Sequence, residues 1–226
     1  MPFPGGIDAN ANATLLFSLA AAVIYAFSLG MPPRLSRSAA RTLAVAMLAV
    51  LVVQQGGPWL LVAALGVSAV GDAFLSRDGE KAFLGGAASF LAAHVLYVVL
   101  FLRAGGGLGL LLAEPWRAAI VLAMVVLVLA MVFALRRRVG PALRLPIGLR
   151  VAAILAMGIG ALTLSSAWVI GGVALLILSD GLLAAEKFLL PAISPHRVWM
   201  RHVVWVLYYA AQLGITLGVL LKFDTP

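Results

Sequence analysis

Eight stretches of nearly unbroken apolar sequence, most of them close to twenty residues long, decide the fold class of this chain before any motif is considered. The hydrocarbon core of a bilayer takes about 20 apolar residues as helix. A helix suits that solvent because it satisfies its own backbone hydrogen bonds. The stretches lie near 11–31, 39–54, 59–76, 82–102, 116–135, 146–163, 166–185 and 201–221. Pro32-Pro33, Pro58, Pro115, Pro141, Pro191 and Pro195 fall between them, as residues that interrupt helices should. With 64% of the 226 residues hydrophobic and 11% charged, a soluble domain has no means of hiding so much apolar surface. The expected fold is therefore all-α: one polytopic membrane bundle of eight transmembrane helices over residues 1–226. Residues 1–10 lack a basic leader, so the first span is read as a retained helix.

The charges orient this bundle. Arg34, Arg37 and Arg41 lie in the first connection, and Arg77 and Lys81 in the third. Arg136, Arg137, Arg138, Arg144 and Arg150 lie in or beside the fifth, and Lys187, Arg197 and Arg201 in the seventh. Of the sixteen basic residues only Arg103, Arg117 and Lys222 fall on the other side. The positive-inside rule then puts the odd-numbered connections in the cytoplasm and both termini outside. A net charge of +8 distributed this way sets topology and meets lipid headgroups; it is not a nucleic-acid surface. The absence of cysteine removes disulfides and thiolate sites.

Two carboxylates break the apolar pattern. "VSAVGDAFLS" carries Gly71-Asp72 and "LLILSDGLLAAEKF" carries Ser179-Asp180, each Asp followed by a Leu three residues on. A carboxylate in hydrocarbon costs several kcal/mol, so such residues face the bundle interior and serve function. The fourth span adds His94 and Tyr97 on one helical face; the eighth adds Tyr208, Tyr209 and Gln212, with 208 and 212 on one face. Counted from the inner ends at 1.5 Å per residue, His94, Tyr208 and Gln212 lie about 12–18 Å deep. All of these residues fall in the cytoplasmic half, where one pocket can collect them. Asp78, Glu80, Glu186, His196 and His202 sit at loops or helix ends and read as solvated. Spans three and four resemble spans seven and eight, "VLY" recurring at 95–97 and 206–208, which suggests a four-plus-four repeat.

No GxSxG, HExxH or phosphate-binding loop is present. Ser68 or Ser179 with His94 lacks the elbow that a serine nucleophile needs, and Asp72, Asp180 and His94 are a possible ligand set for a metal. The residue types otherwise compose acid–base apparatus: paired carboxylates, of which one is held protonated by its surroundings, with an imidazole and phenols.

The ordered elements GD-x-x-L (from Gly71), G-x-x-x-F-x-x-x-H-x-x-Y (Gly86, Phe90, His94, Tyr97), SD-x-x-L (from Ser179) and Y-x-x-AQ (Tyr208, Ala211, Gln212) resemble the YhhN-type lysoplasmalogenase family. Two positions depart from the family pattern. Arg41-Thr42 stands where Lys-Pro often opens span two, and no tyrosine precedes Met157. The resemblance implies an eight-helix membrane enzyme that hydrolyses the vinyl-ether bond of a lysoplasmalogen. Asp180, the deeper carboxyl, would be the acid, and Asp72 the ion that stabilises the cation and activates water. His94 and Tyr97 would orient that water; Tyr208 and Gln212, with Ser179 nearby, would hold the substrate. Arg77, Lys81 or Arg201 would meet its phosphate at the cytoplasmic mouth. Neither a redox cofactor, a nucleotide nor a metal is expected, and the bilayer and a lysophospholipid are the expected partners. Two other classes share these residues: a proton-coupled carrier of a small amphiphile, and a metal-dependent lipid amide or ester hydrolase.

Overall fold

The computed structural model of the protein describes residues 2–6, 10–32, 34–77, 79–105, 107, 109–135, 140–191 and 193–223; Asp78 and Arg136–Arg138 lie outside these. All regular structure among them is helical: α1 (Asn10–Ser28), α2 (Leu35–Gln54), α3 (Trp59–Leu75), α4 (Glu80–Ala104), the single turn α5 (Gly109–Ala113), α6 (Pro115–Leu135), α7 (Pro141–Leu162), α8 (Ala167–Phe188) and α9 (His196–Phe223). Seven of these helices are long and apolar enough to cross a membrane, and α3 is a shorter apolar helix of 17 residues. The chain is an integral, multi-pass membrane protein. Its outward faces carry Phe17, Phe27, Leu129 and Phe133, all more than half exposed, as a surface bathed in lipid requires.

Local signals set the helix ends. Gly56 and Gly79 take positive φ just before α3 and α4, a backbone that side chains with a Cβ rarely adopt. Pro58 caps α3 in an extended conformation, and the Ser166 hydroxyl accepts from Val169 N at the start of α8. Pro115 and Pro141 do not separate helices, as expected from the sequence; each opens one, where its missing N–H would be unpaired anyway. Helices α2, α7 and α9 begin four or five residues before the apolar stretches they carry. Apolarity records the thickness of the hydrocarbon, whereas the helix continues through the charged turn beyond it.

Consecutive helices pack side by side from α1 to α4 and from α6 to α9. The two groups meet where α2 lies on α9, α4 on α7 and, more lightly, α1 on α9. Helix α6 is peripheral. The tightest pairs, α3–α4 and α8–α9, are joined through glycine. A Cβ on Gly172 of α8 would stand 2.8 Å from Ile215 N and 2.9 Å from the Ala211 carbonyl, both backbone atoms of α9. One on Gly218 would meet Trp168 and Val169 at under 3 Å. The Gly214–Gly218 spacing is the small-residue motif by which membrane helices approach closely. In α3–α4 the Phe90 ring lies on Gly71 and Leu75 on Gly86. The glycines of the GD and G-x-x-x-F elements thus set the distance between the helices that carry Asp72 and His94.

Candidate active site

Asp72 is fully buried on α3, and both of its oxygens are engaged. Oδ1 accepts from Arg41 Nε of α2 at 2.8 Å and Oδ2 from the Tyr208 hydroxyl of α9 at 2.8 Å. The Arg41 guanidinium lies over the rings of Tyr25 and Trp205, 5.5 and 5.9 Å from their centroids, and its Nη1 donates to the Tyr25 hydroxyl at 3.3 Å. A full positive charge therefore has a carboxylate on one side and aromatic faces on the other, which offsets the loss of water.

Asp180, on α8, has a second arginine. Arg150 Nη2 of α7 donates to Oδ1 at 2.8 Å, and His94 Nε2 of α4 stands 3.3 Å from Oδ2. On the other edge of the imidazole, Nδ1 bonds the Phe90 carbonyl one turn back in α4. The Phe90 ring separates the two carboxylate groups. Arg150 covers it at 5.5 Å, and Tyr208 meets it edge to face at 5.7 Å. Behind His94 a third polar chain closes the site. The Tyr97 hydroxyl donates to Gln212 Oε1, and Gln212 Nε2 donates to Ser68 Oγ at 3.4 Å. Ser68, Phe90, Ala93, His94, Tyr97, Leu176 and Gln212 enclose a void too narrow for a water molecule.

Asp72, Asp180, His94, Tyr97, Tyr208 and Gln212 thus come together from four helices. The remaining expected residues sit apart from them. Ser179 Oγ donates to the Val204 carbonyl at 2.9 Å and ties α8 to α9. Arg201 Nε pairs with Glu186 Oε1 at 3.0 Å; Glu186 is buried rather than solvated, and its backbone carbonyl accepts from Arg197. Arg77 and Lys81 are exposed; Arg77 ends an outward-facing groove of about 440 Å³ between α2 and α3, lined by Thr42, Ala46, Ala69 and Ala73. Among the described residues no three His, Asp or Glu side chains converge as a metal ion would need.

Arg41 and Arg150 were not foreseen: both were assigned to topology. The spacing held a signal for them, since each arginine precedes its aspartate by a similar interval, 31 and 30 residues, on the preceding helix.

Fold and site together define a polytopic membrane protein with two Arg–Asp pairs inside its helix bundle and a narrow internal void that His94 borders. The profile of the YhhN family matches residues 36–219, and the chain belongs to that family. It is also similar to human lysoplasmalogenase TMEM86B, at 38% identity over 168 residues covering 71% of this chain. The match spans 63% of the human protein, so the chain covers somewhat less than two thirds of that relative. No solved structure matches it.

Proposed function

We propose that the protein is a lysoplasmalogenase-type hydrolase, cleaving the vinyl-ether bond of a lysophospholipid within the membrane. What carries the reading is the unequal treatment of two carboxylates inside the helix bundle. Asp72 receives two donors, one of them cationic, whereas one oxygen of Asp180 faces only the His94 imidazole. The name of the human relative supports the substrate class. In the reaction the acid side adds a proton to the alkene carbon remote from the ether oxygen, and an oxocarbenium ion forms on the carbon that bears the oxygen. Water attacks that carbon and loses a proton to the site; the hemiacetal then collapses to a fatty aldehyde and a glycerophospho-base. Asp72 stabilises the cation and takes the proton from water, as the second carboxylate does at a glycosidic bond. Gln212, whose Nε2 keeps a second hydrogen, holds the ether oxygen, and the phenol oxygens of Tyr97 and Tyr208 accept from the glycerol hydroxyl. The phosphate lies toward Arg77 and Lys81, at the cytoplasmic mouth of eight spans whose termini face out.

The same reading treats α1–α4 and α6–α9 as two copies of one unit. In support, the second helix of each unit carries the arginine and the third the aspartate, and the second helix of each packs on the fourth of the other.

The test is aldehyde release from a lysoplasmalogen by purified protein in detergent, with and without chelator. Asp72→Asn and Asp180→Asn are run beside it after each is shown to be folded. Chelator-resistant release that falls about 10²–10⁴-fold in both variants is expected for loss of acid–base groups. Chelator-sensitive release would make the same residues metal ligands. No release from folded protein would refute the reaction and leave proton-coupled transport as the next assay.

A further inference from the structure

The hydrogen bonds around His94 locate a proton. A carbonyl oxygen only accepts, so Nδ1, bonded to the Phe90 carbonyl, carries hydrogen. A neutral ring then presents the lone pair of Nε2 to Asp180 Oδ2 at 3.3 Å, and both atoms are buried with no other partner. Two lone pairs facing each other in a dry interior are repulsive; one added proton between them makes a charge-assisted hydrogen bond instead. The other oxygen of Asp180 decides which atom holds it. Arg150 Nη2 donates to Oδ1 at 2.8 Å, and the positive charge it brings there favours the carboxylate over the neutral acid. The void borders His94 and not Asp180.

We propose that Arg150 is a positioning residue that keeps Asp180 ionised and so places the reaction's proton on His94 Nε2. The group that delivers the proton to the substrate is the His94 imidazolium, with Asp180 as its counter-ion. This deepens the vinyl-ether reading and rests on it only for what the proton is used for. Among the described residues no other charged group contacts the His94–Asp180 pair. Across the void, Ser68 and Gln212 are uncharged and the Tyr97 phenol is committed to Gln212. Asp72 is matched by Arg41 and by the Tyr208 hydroxyl.

The experiment is nitrogen-15 NMR of the full chain in micelles, labelled at its three histidines, with His94→Gln assigning the His94 signals. At neutral pH the wild-type protein is expected to show both His94 ring nitrogens protonated. Arg150→Gln should convert His94 to the neutral ring with hydrogen on Nδ1, as the proton passes to Asp180; Arg150→Lys, which keeps the charge, should retain the imidazolium. Aldehyde release should fall about 10²–10⁴-fold in Arg150→Gln and recover in part in Arg150→Lys. A neutral His94 in wild-type protein overturns the proposal, and so does an imidazolium unchanged in Arg150→Gln. Should Arg150→Gln not fold, the wild-type spectrum decides alone. An imidazolium in protein that releases no aldehyde would refute the reaction and leave the proton where it is placed here.

Discussion

Replacing Arg41 by leucine tests the physical core of the site. In the intact protein the Asp72 carboxylate is fully buried, and among the described residues Arg41 is its sole ion-pair partner, at 2.8 Å. Arg41→Leu leaves that carboxylate with the Tyr208 hydroxyl alone. Breaking a buried ion pair from one side costs about 3–5 kcal/mol, because the remaining charge is neither paired nor hydrated. At about 2–4 °C per kcal/mol for a chain of this length, the midpoint of thermal unfolding in detergent should fall by roughly 6–20 °C. The double variant Arg41→Leu/Asp72→Leu removes both charges and replaces them with apolar volume, an exchange that is often neutral or stabilising. It should therefore return to within about 1–2 kcal/mol of the wild-type stability, a strong non-additivity of the kind a double-mutant cycle isolates. The rescued protein should nevertheless release no aldehyde, since it has lost the anion of the reaction. The reasoning fails if Arg41→Leu melts with the wild-type protein, or if the double variant loses the sum of the two single losses.

Two further perturbations probe the scaffold. Gly172→Ala places a methyl under 3 Å from the α9 backbone, which cannot turn aside as a side chain can. It should cost about 1–3 kcal/mol by overpacking, read as a lower unfolding midpoint; a variant as stable as the wild type would refute the close approach of α8 and α9. Arg117, buried near the start of α6, donates to the carbonyl of Leu162, the last residue of α7, and to that of Leu164 just beyond it. Arg117→Met removes a cationic cap from carbonyls that have lost their helical partners. It should cost about 1.5–3 kcal/mol, with hydrogen exchange faster over residues 158–164 than in the middle of α7.

The helices were legible because bilayer thickness writes itself into sequence as runs of fixed length, and Asp72, His94 and Asp180 because a polar group within such a run has to be accounted for. The partners were not. Arg41 and Arg150 stand near the ends of their apolar stretches, where an arginine that anchors to headgroups and one that turns inward look alike. What separates them is the helix packed opposite, which local sequence does not state. Glu186 illustrates the same limit, since its place near a helix end suggested water and it is held instead by Arg201 and Arg197. Ser179 adjoins an essential-looking aspartate, yet its hydroxyl ties two helices together. Neighbours in a helical sequence point in different directions, and adjacency to a functional residue carries little information about function.

The choice of proton donor has an energetic consequence in such a dry site. A carboxylic acid that protonates an alkene leaves two new charges, a carboxylate and an oxocarbenium ion, and a low-dielectric interior stabilises neither by solvation. An imidazolium does not create charge; it passes its positive charge to the substrate and becomes neutral. Carboxylates that are already ionised then meet the cation, Asp72 with its two donors and Asp180 with Arg150. Such preorganised charge needs little rearrangement as the reaction proceeds. Each arginine brings a positive charge to its aspartate, which favours the ionised carboxylate before any substrate arrives. Two bare carboxylates of the kind read from the sequence would share protons and lose that fixed charge. In the proposed reaction the paired arginines therefore belong to the chemistry as well as to the fold.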